Sequence, residues 1–246
     1  MGPETPYYRP DLARIHHEGF SFHADGCAPG ILELLEPVLV RRGLVVELGC
    51  GSGLLTRHLV EAGHRVMATD ASPAMLDLAR QVAPGAEGIA QLTLPDDPVP
   101  QADAIVSVGH VLNYLPDEAS IDRALTSIAG ALGADGVLAI DLADLRYAEA
   151  RTDAPGSKGW ATDDWALVTE FDTPSPERFV RQMAIFSRNT DGSWRRDDER
   201  HDNVLIDVSA VPALLRDHGV DVTIGNAFGA YVLPEGLHAV VGTRAG

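Results

Sequence analysis

Cysteine is nearly absent. Cys27 and Cys50 are the only two in 246 residues, too few for a disulfide framework. Neither belongs to a Cys/His cluster with zinc spacing, so no metal is expected. This cysteine usage points to a reducing, cytoplasmic compartment. Basic residues are scarce too. Nineteen Lys+Arg stand against 36 Asp+Glu, a net charge of −17. A field of that sign repels phosphate backbones and argues against nucleic acid as a partner. Long apolar runs are missing: charge-free stretches reach 13 residues, as in 104–116, and a membrane span needs roughly 20. The opening Met1-Gly2-Pro3-Glu4 is followed by no apolar core of a signal peptide. No repeat and no low-complexity run is present. What remains is an ordinary soluble composition, 45% hydrophobic and 22% charged, long enough to bury a sizeable core.

The pattern along the chain is one of alternating strands and helices. Residues 7–42 read as helical, with a break near 26–30, where glycines cluster. Short apolar runs at 44–48, 65–69, 88–92, 104–108 and 137–141 read as buried strands. Helices are expected at 54–62, from Ser72-Pro73 onward, and at 118–132. Ser72 and Pro73 are suited to the N-cap and first position of the second. Such alternation predicts a parallel sheet with helices on both faces. Residues 143–203 break the rhythm with strands at 165–171, 179–187 and 194–204 and a hairpin signal at Asp191-Gly192. This segment is expected to form an antiparallel insertion over the carboxyl ends of the strands, burying Trp160, Trp165 and Trp194. A helix at 209–218 and strands at 220–226 and 238–243 would then close the sheet. The whole chain, 1–246, is expected to be one doubly wound α/β domain with a helical lid at 1–42.

One loop carries most of the functional information. Val45-Val46-Glu47-Leu48-Gly49-Cys50-Gly51-Ser52-Gly53 ends the first strand. Its glycines let the backbone turn tightly and approach a ligand, and the next helix offers free N–H groups to it. Asp70 ends the second strand, 21 residues after Gly49, where an acid can accept hydrogen bonds from ribose hydroxyls. The combination predicts an adenosine-containing ligand. A dinucleotide fingerprint requires a third glycine at residue 54 or 56, which are Leu54 and Thr56.

The spacing Gly-x-Gly-x-Gly after Glu47 resembles motif I of class I S-adenosylmethionine-dependent methyltransferases. Thr69-Asp70-Ala71-Ser72-Pro73-Ala74-Met75-Leu76 resembles their second motif, Asp103-Ala104-Ile105-Val106-Ser107 their fourth strand, and Leu112-Asn113-Tyr114-Leu115-Pro116-Asp117 the loop after it. The resemblance implies a mostly parallel seven-stranded Rossmann-like sheet and S-adenosyl-L-methionine as cofactor, released as S-adenosyl-L-homocysteine. It places cofactor contacts at Glu47, Gly49, Cys50, Gly51, Gly53, Asp70, Ala71, Met75, Gln91, Leu92, Val108 and Gly109. The family often carries an acid after the third strand; here the residues are Ala90-Gln91-Leu92, so Gln91 or backbone would meet the adenine.

The same resemblance extends to the bacterial small-molecule enzymes of this family. Their N-terminal lid is similar to residues 8–20, which puts Tyr8 and His16 beside the acceptor. Tyr114 and Tyr231 are further candidate substrate contacts, with packing as the alternative for each. His110 follows the fourth strand, where the reacting methyl would lie. His201 and Glu199, two apart on one strand, share a face and read either as a histidine held by a carboxylate above the substrate or as a surface ion pair. The expected catalytic set is therefore His110, His201 and Glu199. The function expected is methyl transfer to a small-molecule N- or O-acceptor by a monomer or homodimer. A non-catalytic S-adenosylmethionine-binding protein and, more remotely, an NAD-dependent dehydrogenase are the alternatives.

Overall fold

The computed structural model describes residues 7–152 and 157–246. Its first layer is helical: α1 (Pro10–Gly19), α2 (Phe22–Leu34) and α3 (Glu36–Val40). The expected break at 26–30 is absent, and the breaks fall at Phe20–Ser21 and Leu35 instead. The glycines serve close packing. A Cβ at Gly30 would lie 2.3 Å from the Phe228 backbone, and one at Gly26 would lie 2.4 Å from the Tyr231 ring.

The strands and helices that follow are β1 (Leu44–Leu48), α4 (Leu54–Glu61), β2 (Arg65–Asp70), α5 (Pro73–Val82), β3 (Gly88–Gln91), β4 (Ala102–Ser107), α6 (Glu118–Ala131) and β5 (Leu132–Ala143). The Ser72 side chain accepts from the Met75 N–H and caps α5. Asp117 does the same for α6 through the Ser120 N–H. After the insertion come α8 (Val211–Asp217), β10 (Val220–Gly225), a small hairpin of β11 (Ala227–Phe228) and β12 (Tyr231–Val232), and β13 (Leu237–Arg244). The main sheet has seven strands in the order β10-β13-β5-β4-β1-β2-β3. Its pairs from β5 to β3 are parallel, and β13 runs antiparallel to both β5 and β10. Large apolar clusters cover both faces: Ile105, Leu125 and Leu138 belong to one, Ile31, Val45 and Leu59 to the other. Such two-sided burial explains why the strands read as continuous apolar runs.

Between Ala143 and Val208 lies the insertion. It contains the short helix α7 (Glu149–Thr152) and four antiparallel strands: β6 (Ser157–Ala161), β7 (Trp165–Ser175), β8 (Arg178–Arg188) and β9 (Trp194–Val204). The sequence showed three of these. It missed β6, an exposed edge strand without apolar alternation. Trp165 is buried against Leu12 and Ile15 of α1. The other two tryptophans correct the expectation: Trp160 is 39% and Trp194 50% exposed. Trp160 stands on the edge strand, with its ring against Phe20, and Trp194 begins β9 beyond the hairpin turn.

Candidate active site

The glycine loop leaves β1 with Gly49, Gly51 and Gly53 all at positive φ (67°, 54° and 82°). Glu47 stands before it, almost fully buried. Its carboxylate accepts a 2.6 Å hydrogen bond from the Thr56 hydroxyl in α4. Burial pushes the Glu47 carboxyl up to about 8, against the Thr56 bond, which favours the charged form. Asp70 closes the other side. Its carboxylate accepts from the Gly51 N–H and the Ser72 N–H, both at 2.8 Å, and so pins the loop to the end of β2. A Cβ at Gly51 would meet nothing nearer than the Met75 sulfur at 4.0 Å. A Cβ at Gly109, after β4, would meet nothing within 4 Å. Together these two glycines leave an open backbone cradle beside the loop, and it fits a ligand that approaches main chain closely.

Sequence reasoning missed the group that holds the second side of this cradle. Asp141, in β5, is fully buried. It accepts from the Gly109 N–H at 2.9 Å and the His110 N–H at 2.6 Å, and it pairs with His23 Nε2 at 2.9 Å. A charged residue inside the apolar run 137–143 was the available signal, the same one that singled out Glu47. His110 is buried at positive φ (48°), its ring 5.0 Å from the Tyr147 ring and 5.7 Å from the Tyr114 ring. Burial, followed by the nearby Arg181, holds its imidazole well below the ordinary value.

Cradle and lid enclose a cavity of about 410 Å³. The Gly49–Ser52 loop and Val108–His110 form its floor. Tyr8, His16 and His23 come from the N-terminal segment, and Leu167, Thr169, Arg181 and Met183 come from the inserted sheet. The insertion thus covers the carboxyl ends of the central strands, as expected. Arg181 alternates with Phe179, Met183 and Ile185 on one face of β8, a single cation in an apolar face.

The candidates divide accordingly. Glu47, Gly49, Cys50, Gly51, Val108, Gly109, His110, Tyr8 and His16 line the cavity. Gly53, Asp70, Ala71, Met75, Gln91 and Leu92 lie outside its wall. Gln91 donates to the Ala71 carbonyl at 3.0 Å. Tyr231 sits behind His23, with ring centroids 5.9 Å apart. Tyr114 takes a hydrogen bond from Arg181 and backs the wall without lining it.

Of the three expected catalytic residues, Glu199 and His201 lie apart from the cavity wall that His110 lines. Both are buried, so the surface ion pair is excluded, yet neither lines the cavity. His201 Nε2 meets Glu199 at 2.9 Å. The Glu199 carboxylate also accepts from the Tyr8 N–H (2.9 Å) and the Arg9 N–H (2.8 Å) at the start of α1. The pair fastens the lid to the inserted sheet. Burial lowers His201 to about 4, although the Glu199 hydrogen bond works in the opposite direction.

Comparison with known proteins agrees with this geometry. Residues 46–138 match the family model of a methyltransferase domain. The chain carries a methyltransferase domain, and its activity is that of an S-adenosylmethionine-dependent methyltransferase. This methyltransferase is 25% identical over 191 residues to YqeM, a provisionally named methyltransferase of Bacillus subtilis (strain 168), covering 75% of this chain and 76% of YqeM. Its fold is similar to that of an S-adenosylmethionine-dependent methyltransferase from Clostridium acetobutylicum ATCC 824, with a TM-score of 0.77 at 15% identity over 96% of this chain and 98% of that one. It is similar also to the sugar N-methyltransferase KedS8 from Streptoalloteichus sp ATCC 53650, with a TM-score of 0.74 at 20% identity over 100% and 98% of the two chains.

Proposed function

We propose that this methyltransferase methylates a nitrogen of a small organic acceptor held between the glycine cradle and the inserted sheet. The carrying observation is that the open cradle at Gly51 and Gly109 shares one cavity of about 410 Å³ with the lid and sheet, room for a small molecule beside the cofactor. The likeness to a sugar N-methyltransferase over nearly the full length of both chains supports nitrogen as the acceptor atom. The charge of −17 supports a partner other than nucleic acid. Two free, buried cysteines support a cytoplasmic location.

S-adenosylmethionine supplies the methyl group when bound. Gly49, Gly51 and Gly109 would lie against it, with Glu47 and Asp70 holding the loop in shape. The chain's own task is to align the acceptor, exclude water and take up the proton released by the amine. His110 is neutral but weakly basic, which suits a positioning contact. His23 faces the cavity with Asp141 behind it, and that carboxylate can stabilise an imidazolium as the proton arrives. We therefore assign the base to His23 and the positioning role to His110.

The test is incubation with methyl-labelled S-adenosylmethionine and a metabolite extract. A labelled, N-methylated small molecule is expected. Binding of the cofactor without label transfer would leave a non-catalytic binding protein instead.

A further inference from the structure

The cavity contains two cations without a counter-ion among the described residues. Arg181 projects from β8 and Arg151 from α7, and both line it. Arg181 bonds to the Tyr114 hydroxyl and approaches His201 Nδ1 at 3.4 Å. Its Nε is buried without a hydrogen-bond partner. Arg151 donates to the Tyr147 and Glu235 carbonyls at 2.8 and 3.2 Å and lies 3.5 Å above the Tyr147 ring. Among the described residues neither guanidinium has a carboxylate within ion-pair distance, although the chain has 36 acidic residues against 19 basic ones. Burial, and then the charge of Arg181, both weaken the charged form of Arg151. Among the described residues the one carboxyl group in the cavity wall is Glu47, which is bonded to Thr56 and whose charged form burial disfavours. His16 adds a second orphan, a buried Nδ1 without a partner in the same wall.

A guanidinium kept for packing is normally paired when buried, because an unmade charged hydrogen bond is costly. Here the pairing positions are left open toward a ligand cavity. We propose that Arg151 and Arg181 form an anion subsite that takes a carboxylate or phosphoryl group of the acceptor. The subsite rests on the reading of this cavity as the acceptor site, and it deepens that reading: the acceptor carries an anionic group as well as the methylated nitrogen. Arg forks suit both oxyanions.

The experiment is calorimetry on the full-length protein with phenyl phosphate, benzoate and uncharged benzyl alcohol, with S-adenosylhomocysteine affinity measured alongside. The better anion is expected to bind at least about tenfold more tightly than the alcohol, and to weaken as salt is added. Phenyl phosphate ahead of benzoate assigns a phosphoryl group, and the reverse order assigns a carboxylate. Arg151→Gln and Arg181→Gln should each cost the anion about tenfold to a hundredfold. They should leave benzyl alcohol and S-adenosylhomocysteine affinity unchanged, while Arg181→Lys restores part of the loss. Should Arg181→Gln not fold, Arg151→Gln decides alone. Equal binding of anions and alcohol would overturn the subsite, as would glutamine variants that bind anions like the parent. Failure of the cofactor reading shows separately, as absent S-adenosylhomocysteine binding with anion binding intact.

Discussion

Replacing Asp141 by alanine should be among the most damaging single changes in this chain. The carboxylate is fully buried and accepts from two backbone N–H groups, Gly109 at 2.9 Å and His110 at 2.6 Å, as well as meeting His23 at 2.9 Å. Leaving a buried donor unsatisfied costs about 1–3 kcal/mol, so the two amides alone set a range of roughly 2–6 kcal/mol. Water entering from the adjoining cavity would favour the lower end. For a domain of this size each kcal/mol is worth about 2–4 °C in Tm, so a central cost near 4 kcal/mol predicts a drop of roughly 8–16 °C. Asp141→Asn retains one acceptor but turns a donor toward the other amide, and should cost about half as much. Differential scanning calorimetry on the three proteins gives the answer, with S-adenosylhomocysteine affinity falling in the same order because Gly109 borders the cradle. An alanine variant within about 1 kcal/mol of the parent would refute the reasoning.

Three further outcomes are expected. Glu199→Ala removes the carboxylate that accepts from Tyr8 N–H, Arg9 N–H and His201, and should expose the start of α1 to limited proteolysis with a stability loss of about 2–4 kcal/mol. An unchanged cleavage pattern would show that the lid is held elsewhere. His16 and His201 have folded values of about 4, against an ordinary 6.5, chiefly because of burial. The unfolded chain therefore takes up protons first, and stability should fall as pH drops from 6.5 to 4, by roughly 3 kcal/mol for each residue. Urea titrations showing constant stability across that window would contradict their burial as neutral groups. Gly51→Val places a branched side chain at φ 54° and fills the cradle. It should abolish S-adenosylhomocysteine binding beyond what its strain cost, about 1–3 kcal/mol, takes from stability.

The sheet was legible because its signals are local. Residues 44–48 and 137–141 are mostly apolar and buried on both faces, and Ser72-Pro73 announces its helix without reference to distant contacts. The glycine loop was legible for the same reason, since three positive-φ glycines after a strand are a backbone requirement. What could not be read depends on tertiary neighbours. Gly26 and Gly30 resembled helix breakers, yet they exist to admit Tyr231 and Phe228 from the far end of the chain. Glu199 and His201 were correctly seen as a pair. Their side of the sheet was not fixed by alternation alone, because the residues that make the pair a clasp, Tyr8 and Arg9, lie 190 positions away or thereabouts. Asp141 and Arg181 left a readable trace, a charge inside an apolar pattern, but its purpose became visible only when β5 lay beside β4 and β8 over the cavity.

The claim on which the rest depends is that the cradle at Gly49–Gly53 and Gly109 holds S-adenosylmethionine. Calorimetric titration of the full-length protein with S-adenosylhomocysteine and, separately, with NAD tests it directly. The account predicts one-site binding of S-adenosylhomocysteine, no comparable heat from NAD, and a loss of about tenfold to a hundredfold in Asp70→Ala, which releases the Gly51 and Ser72 amides. NAD binding in place of S-adenosylhomocysteine, or neither ligand binding, would contradict it.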